Sequence, residues 1–365
     1  MNCVEFTNEK RYIRDFIRLS QTLYSSKENT ENPTTIRQLL TDKHPLSGYF
    51  KLHKFLIYED KHPLARFAIT TYPKDDNAYL GFFECINDPN VAKKVFAQVD
   101  EFAKQNHYQT IVGPVDASFW IKYRLKINKF DRTPYTGEPY NKNYYFKLFK
   151  DNGYQVSDHY TSNYYQLPQY EYINHWYESI YHKYIDRGYE ILDLQMDEYA
   201  ESLAEVYGLL MDLYSDFPIF KSIAKEDFLA NFMNYKSVIN PSMVKLGYYN
   251  GEMVGFLISF PNLSNLAYHL NPVNLARILY IRNHAKEYVS LYMGVNHEHR
   301  GFGRALVYAL IQELNQNHAS NISALMHDGK VTQKYAKERI DETYEYVLMA
   351  KKVADTHTTL SSDAK

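Results

Sequence analysis

The residues in this chain best arranged for chemistry are Val295-Asn-His-Glu-His-Arg-Gly-Phe-Gly-Arg-Ala-Leu306, and the chemistry they suit is holding an anion. Gly301 and Gly303 lack the Cβ atoms that would keep a ligand away from the main chain. Successive N–H groups at the start of a helix can then point at a phosphate, with the helix dipole favouring the negative charge. Arg300 and Arg304 add positive charge beside them. The stretch lacks the Gly-Lys-Ser/Thr ending of a Walker loop, and it lacks the three glycines after a chain-opening strand that a dinucleotide-binding turn requires.

The flanking segments are the elements that must position this loop. Upstream, Tyr288-Val-Ser-Leu-Tyr-Met-Gly-Val295 is an apolar run of strand length; downstream, Leu306, Ala309, Leu310, Glu313 and Leu314 recur at helical spacing, which predicts a helix over 304–315. A strand therefore feeds a helix N-terminus through the glycine loop.

Composition sets limits on the rest. A chain of 365 residues can bury two ordinary cores, and a formal charge of −2 gives no global attraction to nucleic acid or anionic membrane. Only Cys3 and Cys85 are present, too few for a disulfide framework or a four-cysteine zinc site. No apolar run reaches the roughly 18 residues of a membrane span, and the N-terminus has no signal-peptide core. These features predict a cytoplasmic protein with no membrane span, no nucleic-acid partner and no metal. His297-Glu-His299 offers alternate ligands in a loop without a third, which is not a zinc pattern.

The two halves of the chain repeat one order of elements. Cys3-Val-Glu-Phe-Thr followed by a helical pattern over 9–24 matches Tyr189-Glu-Ile-Leu-Asp-Leu followed by one over 197–214. The hairpin at 54–69 matches that at 243–258, where Asn250-Gly251 supplies a tight turn. The strand Tyr79–Ile86 and the helix Val91–Gln105 match the strand before Val295 and the helix after Gly303. Gln109–Gly113 parallels Ile322–His327, and the helix end at 145–154 parallels a predicted helix at 335–340, each leading to a last strand. Between the halves, Trp176, Tyr177, Ile180, Tyr181 and Tyr184 lie at helical spacing and stop at Gly188.

Arg300-Gly-Phe-Gly303-Arg-Ala305 fits the Arg/Gln-x-x-Gly-x-Gly/Ala pattern of the GNAT acyltransferase superfamily, and the order of elements in each half resembles a GNAT domain. The fold expected is thus a mixed α/β fold of tandem GNAT-like domains: a degenerate domain over 1–166, a connector helix over 167–188, an acyl-CoA-binding domain over 189–353 and a disordered tail from Ala354. The Gly113-Pro114 loop, the stretch Pro139-Tyr-Asn to Tyr144-Tyr145 and the insertion after Pro261 resemble a little-characterised bacterial family of two-domain GNAT-like proteins. That family usually carries an acidic residue where this chain has Pro261-Asn262-Leu263-Ser264.

The resemblance implies a set of roles. Acetyl-CoA or another acyl-CoA is the co-substrate, an amine of a small molecule or peptide is the acceptor, and the amine attacks the thioester directly. Arg300, Gly301, Phe302, Gly303, Arg304 and Ala305 hold the pyrophosphate. Main-chain groups of Leu291 to Val295, Met293 and Val295 among them, hold the pantetheine. Tyr335 falls at the position of the superfamily's catalytic tyrosine, with Asp328 and Arg339 departing from the surrounding pattern, and is expected to return a proton to the departing thiolate. His327 is the first candidate for general base because its ordinary pKa suits the task, with Glu287, His297 and Glu298 as alternatives. Two other functions remain open on the sequence: a Fem-like aminoacyl transferase, and a GNAT-derived binding module without catalysis.

Overall fold

Alternating apolar strands and amphipathic helices form where the periodicities place them. The structure, a computed structural model, describes residues 1–166, 172–269 and 271–353; the tail from Ala354 and the opening of the connector at 167–171 lie outside the described residues. The first half contains β1 (Asn2–Phe6), α1 (Lys10–Leu23), α2 (Pro33–Leu40), β2 (Lys51–Glu59), β3 (His62–Thr71), β4 (Asn77–Cys85), α3 (Pro89–Gln105), β5 (Thr110–Gly113), the short β6 (Val115–Asp116), β7 (Lys122–Tyr123) and β8 (Leu125–Lys126), α4 (Tyr145–Asp151) and β9 (Gln155–Tyr165). The second contains α5 (His175–Ile185), β10 (Tyr189–Asp193), α6 (Tyr199–Leu213), α7 (Lys225–Phe232), β11 (Val244–Tyr249), β12 (Glu252–Pro261), α8 (Pro272–His284), β13 (Glu287–Val295), α9 (Gly303–Asn317), β14 (Ser320–His327) and β15 (Glu342–Lys352).

The chain forms two compact units that interleave in sequence: one is 1–131, 139–159 and 346 onward, the other 132–138 and 160–345. The chain therefore passes between the units four times, at 131/132, 138/139, 159/160 and 345/346. In the first unit the strand order is β1-β2-β3-β4-β5-β15 and in the second β10-β11-β12-β13-β14-β9. Each has one parallel pair, β4 with β5 and β13 with β14, bridged by a crossover helix, α3 or α9. The repeat seen in the sequence is thus real in the topology. What period-2 patterning does not reveal is that the sixth strand of each sheet comes from the other half: Met349 to Lys352 pair with β5, and Tyr160 to Tyr165 pair with β14.

The first core is aromatic, with Phe55 stacked on Phe67 and Phe83, Phe96, Phe149 and Tyr154 packed between sheet and helices. It also encloses charge. Arg66 is fully buried, donates to the Phe16 carbonyl at 2.7 Å and to Glu31, and lies 3.9 Å from Glu84. Burial pushes the Glu84 carboxyl up to about 7 while Arg66 pulls it down, and Tyr145 donates to it at 2.6 Å. The second core gathers Tyr288, Phe302, Leu306 and Leu310 between α9 and the strands.

One expected element is absent. Residues 335–340 do not form a helix end; two 3₁₀ turns, Val331–Lys334 and Lys337–Arg339, flank Tyr335 and Ala336, and Ala336 is left-handed at φ 46°. The groups that would continue a helix are taken elsewhere, since the Tyr335 carbonyl accepts from the Tyr165 hydroxyl at 2.9 Å and the Ala336 N–H donates to the Tyr177 hydroxyl at 3.0 Å.

Candidate functional site

β13 pairs with β12 from Tyr288 to Val295, but its parallel pairing with β14 covers only Glu287 to Ser290. Beyond Ser290 the two strands part, leaving a cleft beside Leu291 to Val295. Hydrogen-bonded and non-hydrogen-bonded pairs alternate along an antiparallel ladder. The Asn296 N–H donates to the Val254 carbonyl at 2.8 Å, so Gly294 faces β12, and the amides and carbonyls of Met293 and Val295 face the cleft. The Tyr214 hydroxyl donates to the Met293 carbonyl at 3.3 Å, as that orientation requires.

β13 leads through a 3₁₀ turn at His297–His299 into α9, whose first residue is Gly303. Gly301 sits at φ 100°, a conformation that favours glycine. Within the turn the Phe302 N–H donates to the His299 carbonyl at 3.1 Å, Arg304 to Gly301 at 3.2 Å and Ala305 to Phe302 at 2.9 Å. The N–H groups of Gly301 and Gly303 have no acceptor among the described residues. Two donors at the positive end of a 15-residue helix are therefore unused.

Phenol groups converge on the same two glycines. A Cβ on Gly303 would lie 2.8 Å from the Tyr335 hydroxyl and 2.9 Å from Met293 Cε, and one on Gly301 would lie 2.9 Å from the Tyr184 hydroxyl. Tyr184 comes from the connector helix α5 and donates to the Arg300 carbonyl at 2.9 Å. The Arg304 guanidinium lies 4.9 Å from the Trp176 ring centre and 5.8 Å from that of Tyr335, and its Nε is buried without a hydrogen-bond partner.

His327 ends β14 opposite Tyr160. Its ring packs edge-on to Tyr160 at 4.9 Å and near Phe217 at 5.8 Å, and Phe217 stacks on Tyr214 at 4.7 Å. The other candidate bases lie apart from this aromatic group. Glu287 is at the opposite end of β13, roughly 26 Å from Val295 along an extended strand, where its carboxylate holds the Asn262 amide and the Ser320 hydroxyl. Asn262 also accepts from the Thr136 N–H at 3.0 Å, so the residue standing in for an acid ties down the 132–138 segment. His297 and Glu298 are exposed, and His299 shares a 2.7 Å hydrogen bond with the Tyr189 hydroxyl. Among the described residues no group of three or more His, Cys, Asp or Glu side chains could hold a metal ion.

No protein-family model matches the sequence, and no curated protein does. Among solved structures the chain is similar to a tandem GNAT protein from the clavulanic acid biosynthesis pathway, with a TM-score of 0.54 at 10% identity, over 97% of this chain and 99% of that one. The chain has a tandem GNAT fold. It is also similar to a GCN5-related N-acetyltransferase from Sphaerobacter thermophilus, at 12% identity and a TM-score of 0.49, over 97% and 96% of the two chains.

In the tandem GNAT fold the first unit has its own parting strands, since β4 pairs with β5 only over Asn77 to Tyr79. That gap is filled from within. A Cβ on Gly81 would lie 1.8 Å from the Val115 carbonyl oxygen, the Phe82 N–H donates to the Asp116 carboxylate, and Lys122 pairs with Asp116 at 2.9 Å. At the start of α3, Asp88 accepts from the Asn90 N–H at 2.8 Å and Pro89 has no N–H to offer. Both anion positions are occupied by the chain's own carboxylates. Titration with CoA is accordingly expected to give one site per chain, and a stoichiometry of two would mean that the Asp116 plug opens.

Several residues of the second site escaped sequence reasoning: Tyr160, Trp176, Tyr184, Tyr214 and Phe217. With 36 tyrosines in the chain, no single one stands out by type. Only the helical spacing of Trp176 and Tyr184 hinted that α5 presents a face to something.

Proposed function

We propose that this protein is an acyl-CoA-dependent N-acyltransferase that uses acetyl-CoA or another acyl-CoA, with the second unit holding the co-substrate. The observation that carries this reading is the pair of unused N–H groups, Gly301 and Gly303, at the start of α9 beside a strand whose Met293 and Val295 amides face the parting between β13 and β14. Together they form a continuous track of donors, suited first to a diphosphate and then to the amide-containing pantetheine arm.

The chemistry supplied by the co-substrate is an activated thioester, which an amine attacks at the carbonyl carbon to form the amide and release a thiol. Cleft-facing amides of β13 polarise the carbonyl and steady the oxyanion. His327 takes the proton that the amine loses, and Tyr160, Phe217 and Tyr214 enclose it in aromatic surface that limits water. Tyr335, the expected thiolate acid, directs its hydroxyl to Gly303, at the phosphate end of this track. Tyr214 is the phenol that reaches the cleft-facing carbonyl of Met293. The acceptor is an amine of a small molecule or peptide, and the cytoplasm is the compartment this reading implies, consistent with Cys3 and Cys85 both being free.

The test is acyl transfer from a panel of acyl-CoAs to a panel of amines, paired with CoA titration. His327→Ala is expected to lower kcat by about 10²-fold with CoA affinity unchanged. Turnover equal to the parent's under conditions where chemistry limits the rate would remove His327 from the mechanism. Tight CoA binding with no transfer to any amine would leave a binding module instead of an enzyme.

A further inference from the structure

Tyr335 is only 9% exposed, yet its hydroxyl has no hydrogen-bond partner among the described residues. The ring is buried while the hydroxyl oxygen keeps contact with solvent, so the phenol can reach a ligand at the place it faces. Here the place is Gly303, the first residue of α9, whose own N–H is also unpaired. Arg304, the next residue, has no acidic partner among the described residues; its guanidinium rests against Trp176 and Tyr335, and its Nε is buried and has no hydrogen-bond partner there. A backbone amide and a phenol thus meet at the start of α9, the guanidinium of Arg304 rests against the same phenol ring, and no carboxylate is among them. Burial raises the Tyr335 pKa, with Arg304 pulling it back, so the phenol is a proton donor at neutral pH.

We propose that Tyr335 and Arg304 are the side-chain half of the diphosphate site. The phenol donates to one phosphoryl oxygen, and the guanidinium pairs with the same group from its seat on Trp176. This rests on the acyl-CoA reading above and deepens it, because it makes Tyr335 a binding residue at the phosphate end of the co-substrate. No covalent step is involved. The consequence is a dependence on the phosphates alone: pantetheine, which has the thiol arm but no diphosphate, should not sense either side chain.

The experiment is calorimetric titration of the parent, Tyr335→Phe and Arg304→Gln with CoA and, separately, with pantetheine. Tyr335→Phe keeps the ring that packs on Tyr177 and Arg304, and thermal melting checks its fold. It is expected to weaken CoA binding about tenfold and to leave pantetheine binding unchanged. Arg304→Gln is expected to weaken CoA at least as much and to flatten the salt dependence of binding; it carries the test alone if Tyr335→Phe misfolds. CoA affinity within twofold of the parent in both variants, or equal losses for CoA and pantetheine, overturns the inference while leaving the acyltransferase reading in place. A Tyr335→Phe enzyme with unchanged CoA affinity and a kcat lowered about 10²-fold also overturns it, returning Tyr335 to the thiolate. A parent chain that does not bind CoA takes down both.

Discussion

Gly303→Glu is expected to reduce CoA affinity by more than about 100-fold, a loss of ~2.7 kcal/mol or more, while the protein stays folded. Two effects act in one direction. The new Cβ falls 2.8 Å from the Tyr335 hydroxyl and 2.9 Å from Met293 Cε, so both side chains are pushed across the track that leads from the phosphates to the cleft. The carboxylate then occupies the N-terminus of α9, placing a fixed negative charge where a diphosphate would sit. The fold survives because the atoms displaced are side-chain ends, Met293 Cε and the Tyr335 hydroxyl, with no backbone atom among them, and because an acid in the first turn of a helix is favourable to the helix itself. Calorimetry on a variant whose melting curve matches the parent's decides it: affinity within twofold of the parent would mean that the diphosphate lies elsewhere.

Arg66→Ala is expected to destabilise the first unit by about 3–5 kcal/mol, the usual cost of leaving buried charge uncompensated. Arg66 is fully buried between Glu31 and Glu84 and also holds the Phe16 carbonyl at the end of a turn of α1. Without it, two carboxylates face each other in the interior, so each binds a proton more tightly in the folded than in the unfolded chain. Stability of the variant should therefore fall as pH rises through the ordinary carboxylate range and past the value of about 7 that Glu84 already has in the parent. Urea unfolding at pH 5 and pH 8 measures this, and a variant that loses under 1 kcal/mol at both pH values would show that the pair is solvated in practice.

How much of this was legible in the sequence depended on whether the signal was local. Gly301 and Gly303, the apolar run of β13 and the helical spacing after Leu306 lie within one stretch, and the strand, turn and helix they specify are those observed. The repeat was legible too, because a hairpin or a capped helix announces itself within a dozen residues. Tyr335 was not. A helix at 335–340 follows from the parallel with 145–154 and from the resemblance to the superfamily's last helix, but the backbone groups at 335 and 336 bond to Tyr165 and Tyr177, which lie more than a hundred positions earlier. The aromatic wall around His327 was hidden for a similar reason, since Tyr160 and Phe217 reach it from strands and loops whose pairing no local pattern encodes.

The exchange of final strands has a consequence for how the protein is made. The edge of β5 in the first unit is covered by Met349 to Lys352, the last residues of β15. A ribosome must therefore release the chain through Lys352 before the N-terminal sheet can close, and until then β5 presents an open edge to any neighbouring chain. The order of synthesis and the order of completion are reversed, with the second sheet supplied by β9 long before the first receives β15. Expression of either half by itself would leave a sheet one strand short, so the duplicated halves are bound to each other in biogenesis even though each unit has its own core. A nascent chain stalled before Glu342 should be recovered bound to chaperone or aggregated, and adding the 342–353 segment as a separate peptide is the natural means of rescuing it.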